Sequence, residues 1–172
     1  MEGSTVTEQH ICGVMFTMTT YGTWLRGDMR GWCEDGRVYP SSPPLEAHDR
    51  ELMNHPPFLF EKDQLYGIGE NIGRELIKRL QQRILALTVQ TWHVHLVVAD
   101  SQHRVPVIAK CAKESVRYAL RAGQRIWTEE YDKRYCFNHQ SLRTRIEYVE
   151  RHNTAMGWPP RPWKFILAWD EY

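Results

Sequence analysis

The sequence lacks the marks of several common protein classes. Its four cysteines, Cys12, Cys33, Cys111 and Cys136, are scattered with no CxxC pair, which argues against both a zinc knuckle and a disulfide framework. No apolar run approaches the ~20 residues that cross a bilayer. Residues 1–10 are polar and acidic, where a secretory leader would need a basic start and an apolar stretch. The expectation is a soluble, cytoplasmic protein with no membrane partner. A charge excess is missing too: 22 Lys+Arg face 21 Asp+Glu, so no global basic field announces an anionic partner. The charge is unevenly spread, however. Residues 1–103 hold 9 basic and 13 acidic side chains, and residues 104–164 hold 13 and 6, which suits an anionic ligand on one side only. At 172 residues the chain has the length of one domain with a real core, assigned here to 1–172.

What the chain does have is Trp92-His93-Val94-His95-Leu96-Val97-Val98, an apolar run with two histidines two residues apart. Side chains of a strand alternate between faces, so His93 and His95 share one face and Val94, Leu96 and Val98 the other. The second face reads as core; the first carries two imidazoles close enough to hold one cation. An HxH pair also occurs as two half-exposed histidines with no ligand. Tyr148 and His152 weigh against that blander reading. At i, i+4 spacing in a helical segment they present a phenol and a third ligand on one helix face.

Periodicity supplies the surroundings. Val14, Phe16 and Met18 alternate with Met15, Thr17 and Thr19, predicting a first strand that breaks at Gly22. Residues 22–60 are rich in glycine and proline, show no clear period, and read as an irregular loop insertion. Within it, Trp24, Arg26, Arg30 and Trp32 suit single-stranded nucleic acid, with rings stacking on bases and guanidinium groups pairing with phosphates. The same residues equally suit pins that keep a long insertion folded. A helix over about 61–83 follows, with Leu65, Ile68, Ile72, Leu76 and Leu80 on one stripe. Its Gly67, Gly69 and Gly73 each cost about 1 kcal/mol relative to Ala, which predicts close packing against the sheet. Residues 83–90 are apolar on both faces and predict a central strand, joined to the histidine strand in a hairpin. The next helix, about 106–122, sets Ile108, Ala112, Val116 and Ala119 against a basic side of Lys110, Lys113, Arg117 and Arg121. That stripe reads either as a solvated face or as a phosphate track. A last strand is expected near 134–139. A final helix, capped by Ser141, then runs to about Asn153 with Leu142, Ile146 and Val149 inward. Residues 158–172 begin with Trp158-Pro159-Pro160-Arg161-Pro162-Trp163, which cannot be helical, and predict a C-terminal arm along the surface. Residues 1–10 read as a loose start. The order implies an α+β fold of ferredoxin-like, split βαβ type, an antiparallel sheet with helices packed on it.

The chemistry of this set is limited. A tyrosine phenolate is a good nucleophile and an acceptable leaving group. A divalent cation on His93, His95 and His152 would polarise a phosphate oxygen for in-line attack. Tyr148 would then form a phosphotyrosine and release a hydroxyl, reversibly and without ATP. All three histidines must be neutral to bind, so activity should fall in acid. Two competitors stand. One is a hydrolytic three-histidine zinc site, with Asp100 the nearest carboxylate in sequence. The other is an ordinary helix tyrosine with its hydroxyl in water.

His93-Val94-His95, in a hairpin preceded by a helix and an FTMTTY strand, resembles the His-hydrophobic-His (HUH) motif of single-tyrosine transposases. The C-terminal half resembles the REP-associated tyrosine transposase branch. The counterparts are Ile126-Trp127, Tyr131 to His139, Tyr148-Val149 leading to His152-Asn153, Gly157, and Trp158 to Trp163. The resemblance covers roughly residues 11–21 and 61–165, and the 22–60 loop is poorly matched. It implies that His93 and His95 bind Mg2+ or Mn2+, that Tyr148 is the nucleophile and that His152 completes the metal site. The family often has Asn or Gln where His152 stands, which leaves Asn153 as the alternative third ligand and moves the metal preference towards Mn2+. It further implies a single-stranded DNA hairpin as partner, a location at the nucleoid of a prokaryote, and compatibility with a homodimer. A non-cutting, domesticated relative that binds structured single-stranded nucleic acid is the alternative.

Overall fold

The computed structural model describes residues 10–168. The loose start expected for residues 1–10 lies, apart from His10, outside the described residues, as does the arm beyond residue 168. Six strands and four helices run in the order β1 (Gly13–Thr19), β2 (Trp32–Glu34), β3 (Arg37–Tyr39), α1 (Pro43–Glu51), α2 (Leu65–Leu80), β4 (Ile84–Val89), β5 (His93–Ala99), α3 (Val105–Leu120), β6 (Asp132–Cys136) and α4 (His139–Ala155). Four strands form one antiparallel sheet in the order β4-β5-β1-β6. The expected α+β architecture is present, an antiparallel sheet with helices packed on it.

The alternation of the strands sorts the core into two layers. Phe16, Met18, Val94, Leu96 and Val98 face α2 and α3, meeting Ile68, Ile72, Leu76, Ile108, Ala112 and Val116. The opposite parity sends Met15 and Val97 to α4, where they meet Leu142, Ile146 and Val149. His93 and His95 share parity with Val97, so they lie on the α4 face. The helix that carries Tyr148 and His152 is therefore the one that covers the two strand histidines.

Several elements depart from the sequence expectation. The 22–60 segment is not irregular throughout, since β2 and β3 form a hairpin and α1 follows. That helix buries no residue and opens on Pro43-Pro44, so it has no apolar period to reveal it. The strand expected to be central, β4, stands at the sheet edge; it is apolar all round because α2 and α4 cover its two faces. The first long helix stops at Leu80, where Gln81 turns left-handed (φ 51°). Arg121 (φ 47°) likewise ends α3 two residues before Gly123. The last strand starts two residues and ends three residues earlier than expected, at Asp132–Cys136, and the cap of α4 is Asn138, whose side chain accepts from the Ser141 backbone N–H at 2.7 Å. Ser141 is thus inside the first turn.

Gly69 and Gly73 of α2 make room for the C-terminal arm, not for the sheet. A Cβ on Gly69 would fall 2.0 Å from the Trp163 ring, and one on Gly73 would fall 2.1 Å from Phe165. Trp163 is fully buried and its indole N–H donates to the Tyr66 carbonyl at 2.9 Å. Gly67 faces open space. This contrast fixes opposite signs for one substitution. Gly67→Ala should stabilise by about 0.5–1 kcal/mol through helix propensity. Gly69→Ala should destabilise by about 1–3 kcal/mol, because displacing a buried indole outweighs that gain. Urea unfolding of the two variants checks both signs.

Candidate active site

Two elements converge here. β5 supplies His93 and His95, only 5% and 6% exposed, and α4 lays His152 and Tyr148 over them. The imidazoles form a cluster with centroids 4.5 Å apart for His93–His95, 5.1 Å for His95–His152 and 6.0 Å for His93–His152. Their ligand nitrogens all lie within 4.8 Å of one another. The Tyr148 ring stands 4.6 Å from His152 and 5.4 Å from His95, and the residue is 38% exposed.

The electrostatics keep the cluster neutral. Burial first, then His152 and Arg30, pushes His93 down to about 4. Burial, followed by His93 and His152, takes His95 down to about 3. His152 is lowered by burial and by Arg151. Neutral imidazoles are the ligating form. His93 Nδ1 is buried with no hydrogen-bond partner among the described residues, and such an orphan fits a position completed by a cation. His95 Nδ1 is 2.9 Å from Thr17 Oγ1, which leaves Nε2 as the ring nitrogen not engaged by that hydroxyl. The residues thus fit a metal ion. Asn153, the other candidate ligand, is fully buried and its side-chain amide donates to the carbonyls of Leu87 and Pro160. Asp100 caps the far end of β5, where its N–H donates to Cys12.

The 22–39 loop reaches the site along one edge. Arg30 lies 5.0 Å over the Trp24 ring and 4.7 Å over Trp92, which itself packs 3.9 Å from His93. The Arg30 guanidinium is held by both oxygens of Asp28 and by the Thr23 carbonyl. Arg26 pairs bidentately with Asp49 and lies near Glu34, and Trp32 stacks on Tyr39 at 4.5 Å with its N–H on the Pro40 carbonyl. Of the four loop residues singled out in the sequence, Trp24 and Arg30 thus flank the site, while Arg26 and Trp32 hold the loop together.

The basic stripe of α3 is not brought to the histidines. α3 packs on the opposite sheet face. Lys113, expected on a phosphate track, instead donates to the carbonyls of Thr128, Glu129 and Glu130 at 2.8–3.1 Å, and burial pulls its ammonium down to about 8. Its four-carbon stem crosses the helix surface to a loop whose carbonyls need a donor. Lys110 lies near Glu114, and Arg117 covers the exposed Tyr118 ring. Sequence reasoning missed Thr17 and Trp92 as site residues. Trp92 was legible as the neighbour of His93; Thr17 depends on strand register, which no local pattern displays.

Fold and site together describe an antiparallel α+β chain with a three-histidine cluster on its sheet and a tyrosine helix laid across it. No protein-family model matches the sequence, and no curated protein does. Among solved structures, a REP-associated tyrosine transposase bound to a REP hairpin matches with a TM-score of 0.51, over 86% of this chain and 69% of that one, at 13% identity. At that identity the likeness is one of fold. No helix among the described residues is long and apolar enough to cross a membrane.

Proposed function

We propose that the chain is a metal-dependent single-stranded DNA endonuclease of the HUH, REP-associated tyrosine transposase type, which cuts and rejoins DNA beside a hairpin. The observation that supports this reading is the convergence of Tyr148 on His93, His95 and His152. His93, His95 and His152 would hold Mg2+ or Mn2+, and the chemistry so supplied would be polarisation of a non-bridging phosphate oxygen. The all-nitrogen donor set favours Mn2+ over Mg2+. Tyr148 is exposed enough to meet a strand passing over α4. Its oxygen forms the new bond to phosphorus, the P–O3′ bond breaks, and the phenolic proton leaves with the 3′ oxygen as a hydroxyl. The 5′-phosphotyrosine retains the diester's energy, so the reverse step rejoins the strand. Tyrosine and histidines belong to one chain, so the nucleophile is proposed to act on the phosphate its own subunit orients.

Arg30 and Arg151 flank the triad from the loop and from α4, each near enough to depress a histidine. They are proposed to meet the phosphates on either side of the cut, with Trp24 and Trp92 beside the bases. Lys110, Arg117 and Arg121 lie on the far sheet side and are proposed to touch only the outlying part of a longer strand. With a short hairpin, Arg151→Gln should therefore flatten the slope of log K against log salt by about 0.7, the value for one phosphate on a single strand. Arg117→Gln should leave it unchanged. Fluorescence anisotropy across a salt series reads both slopes.

The deciding experiment is incubation with end-labelled hairpin oligonucleotides and Mn2+, resolved on a denaturing gel. A covalent protein–DNA adduct that disappears in EDTA is expected. Hairpin binding without an adduct would instead assign the chain to the non-cutting alternative.

A further inference from the structure

The strand register places a threonine on either side of His95. Thr17 of β1 and Thr88 of β4 are both directly opposite it, on the same sheet face. Only one of the two hydroxyls is bonded to the imidazole. Thr17 Oγ1 lies 2.9 Å from His95 Nδ1, whereas Thr88 Oγ1 is fully buried with no hydrogen-bond partner among the described residues. We propose that Thr17 is a positioning residue that fixes the tautomer and ring orientation in which His95 ligates the metal; this rests on the metal-dependent reading above.

Proton placement decides which nitrogen can ligate. A neutral imidazole carries one proton, on Nδ1 or on Nε2. With the proton on Nδ1, His95 donates to Thr17 Oγ1 and Nε2 keeps the lone pair a cation requires. With the proton on Nε2, Thr17 donates instead and that lone pair is lost. His95 is 6% exposed, so bulk water is a poor substitute partner for Nδ1. Thr17 is well suited to hold its hydroxyl still. It sits on an interior strand, paired to His95 on one side and to Asp132 on the other, and its branched side chain has restricted χ1 freedom. Hydrogen bonds of this kind raise ligand basicity and orient the ring, and their removal typically costs 10–100-fold in metal affinity.

The test compares Thr17→Val, Thr17→Ser and Thr88→Val, titrated with Mn2+ by calorimetry in the absence of DNA. Each Val variant deletes one hydroxyl beside His95 while keeping a branched side chain suited to a strand. Thr17→Val should lose about 10–100-fold in Mn2+ affinity, Thr17→Ser should restore it, and Thr88→Val should match the wild type. In the metal-free protein, 15N NMR of His95 should report the Nδ1–H tautomer in the wild type and a shift towards Nε2–H in Thr17→Val. Equal Mn2+ affinity and unchanged ring-nitrogen shifts in Thr17→Val would overturn the assignment. An equal loss in Thr88→Val would overturn it too, by making the effect one of packing. A wild type that takes up no Mn2+ would sink the metal reading itself, and the tautomer measurement would still decide whether Thr17 orients His95.

Discussion

Tyr148→Phe is expected to abolish the covalent adduct while leaving hairpin affinity largely intact. The substitution removes one oxygen and keeps the ring that packs 4.6 Å from His152. The residue is 38% exposed, so losing a solvated hydroxyl should move stability by no more than about 0.5 kcal/mol. Loss of adduct with retained folding and binding would therefore isolate the nucleophile. Continued strand cleavage by the Phe variant would transfer the chemistry to an activated water on the three histidines, the hydrolytic competitor. Acid or base assistance from a carboxylate would then need a source other than Asp100, which stands at the opposite end of β5 from His93.

The metal-free protein is expected to lose much of its stability as pH falls from about 6.5 to about 4. In the unfolded chain the two strand histidines titrate near their ordinary value of 6.5, whereas in the fold His93 is held down to about 4 and His95 to about 3. Between those values the unfolded state binds more protons than the native state, so stability rises with pH through the window and drains away as pH drops. Above about 6.5 both states carry neutral rings and these groups give no slope. A tenfold difference in proton affinity between the two states corresponds to about 1.4 kcal/mol, and the adjacent pair titrates as one coupled site, so a loss on the order of 5 kcal/mol is expected. Urea midpoints measured from pH 7.5 to pH 4 test this. His95→Asn, which cannot titrate, should flatten the curve; an unchanged slope would mean that the buried rings are not its source. With Mn2+ present the acid limb should steepen, since protons and cation compete for the same nitrogens.

The histidine strand and the tyrosine helix could be read from the sequence because both rest on strict periods: two residues for His93 and His95, four for Tyr148 and His152. Those periods also put each pair on the face that the fold uses. What could not be read depended on contacts between distant segments. Nothing in Gly69 and Gly73 says whether a sheet or an aromatic arm comes close, and Trp163 answers only in three dimensions. An all-apolar strand is equally consistent with the middle of a sheet and with an edge sandwiched between two helices, as β4 is. Helix α1 escaped because it buries nothing. Lys113 sits on a convincing cationic stripe, yet three carbonyls from a loop some fifteen residues later claim its ammonium. Within residues 22–39, Arg26 and Trp32 brace the loop, whereas Arg30 and Trp24 lie beside the site.

The position of β4 has a consequence for how the molecule avoids its own kind. A long apolar edge strand is a template for pairing with the same strand of another copy. Here the segment after α4 passes beside that edge on its way to α2. Asn153 joins it there, bonding the Leu87 carbonyl of β4 and the Pro160 carbonyl with one amide. Trp163 and Phe165 then anchor the segment in the glycine notch. Pro159, Pro160 and Pro162 lack the N–H groups that would extend a ladder outward. Shaving the chain after Gly157 would thus do more than remove an anchor: it would bare a hydrophobic rim, and the shortened protein should self-associate through β4 in proportion to its concentration.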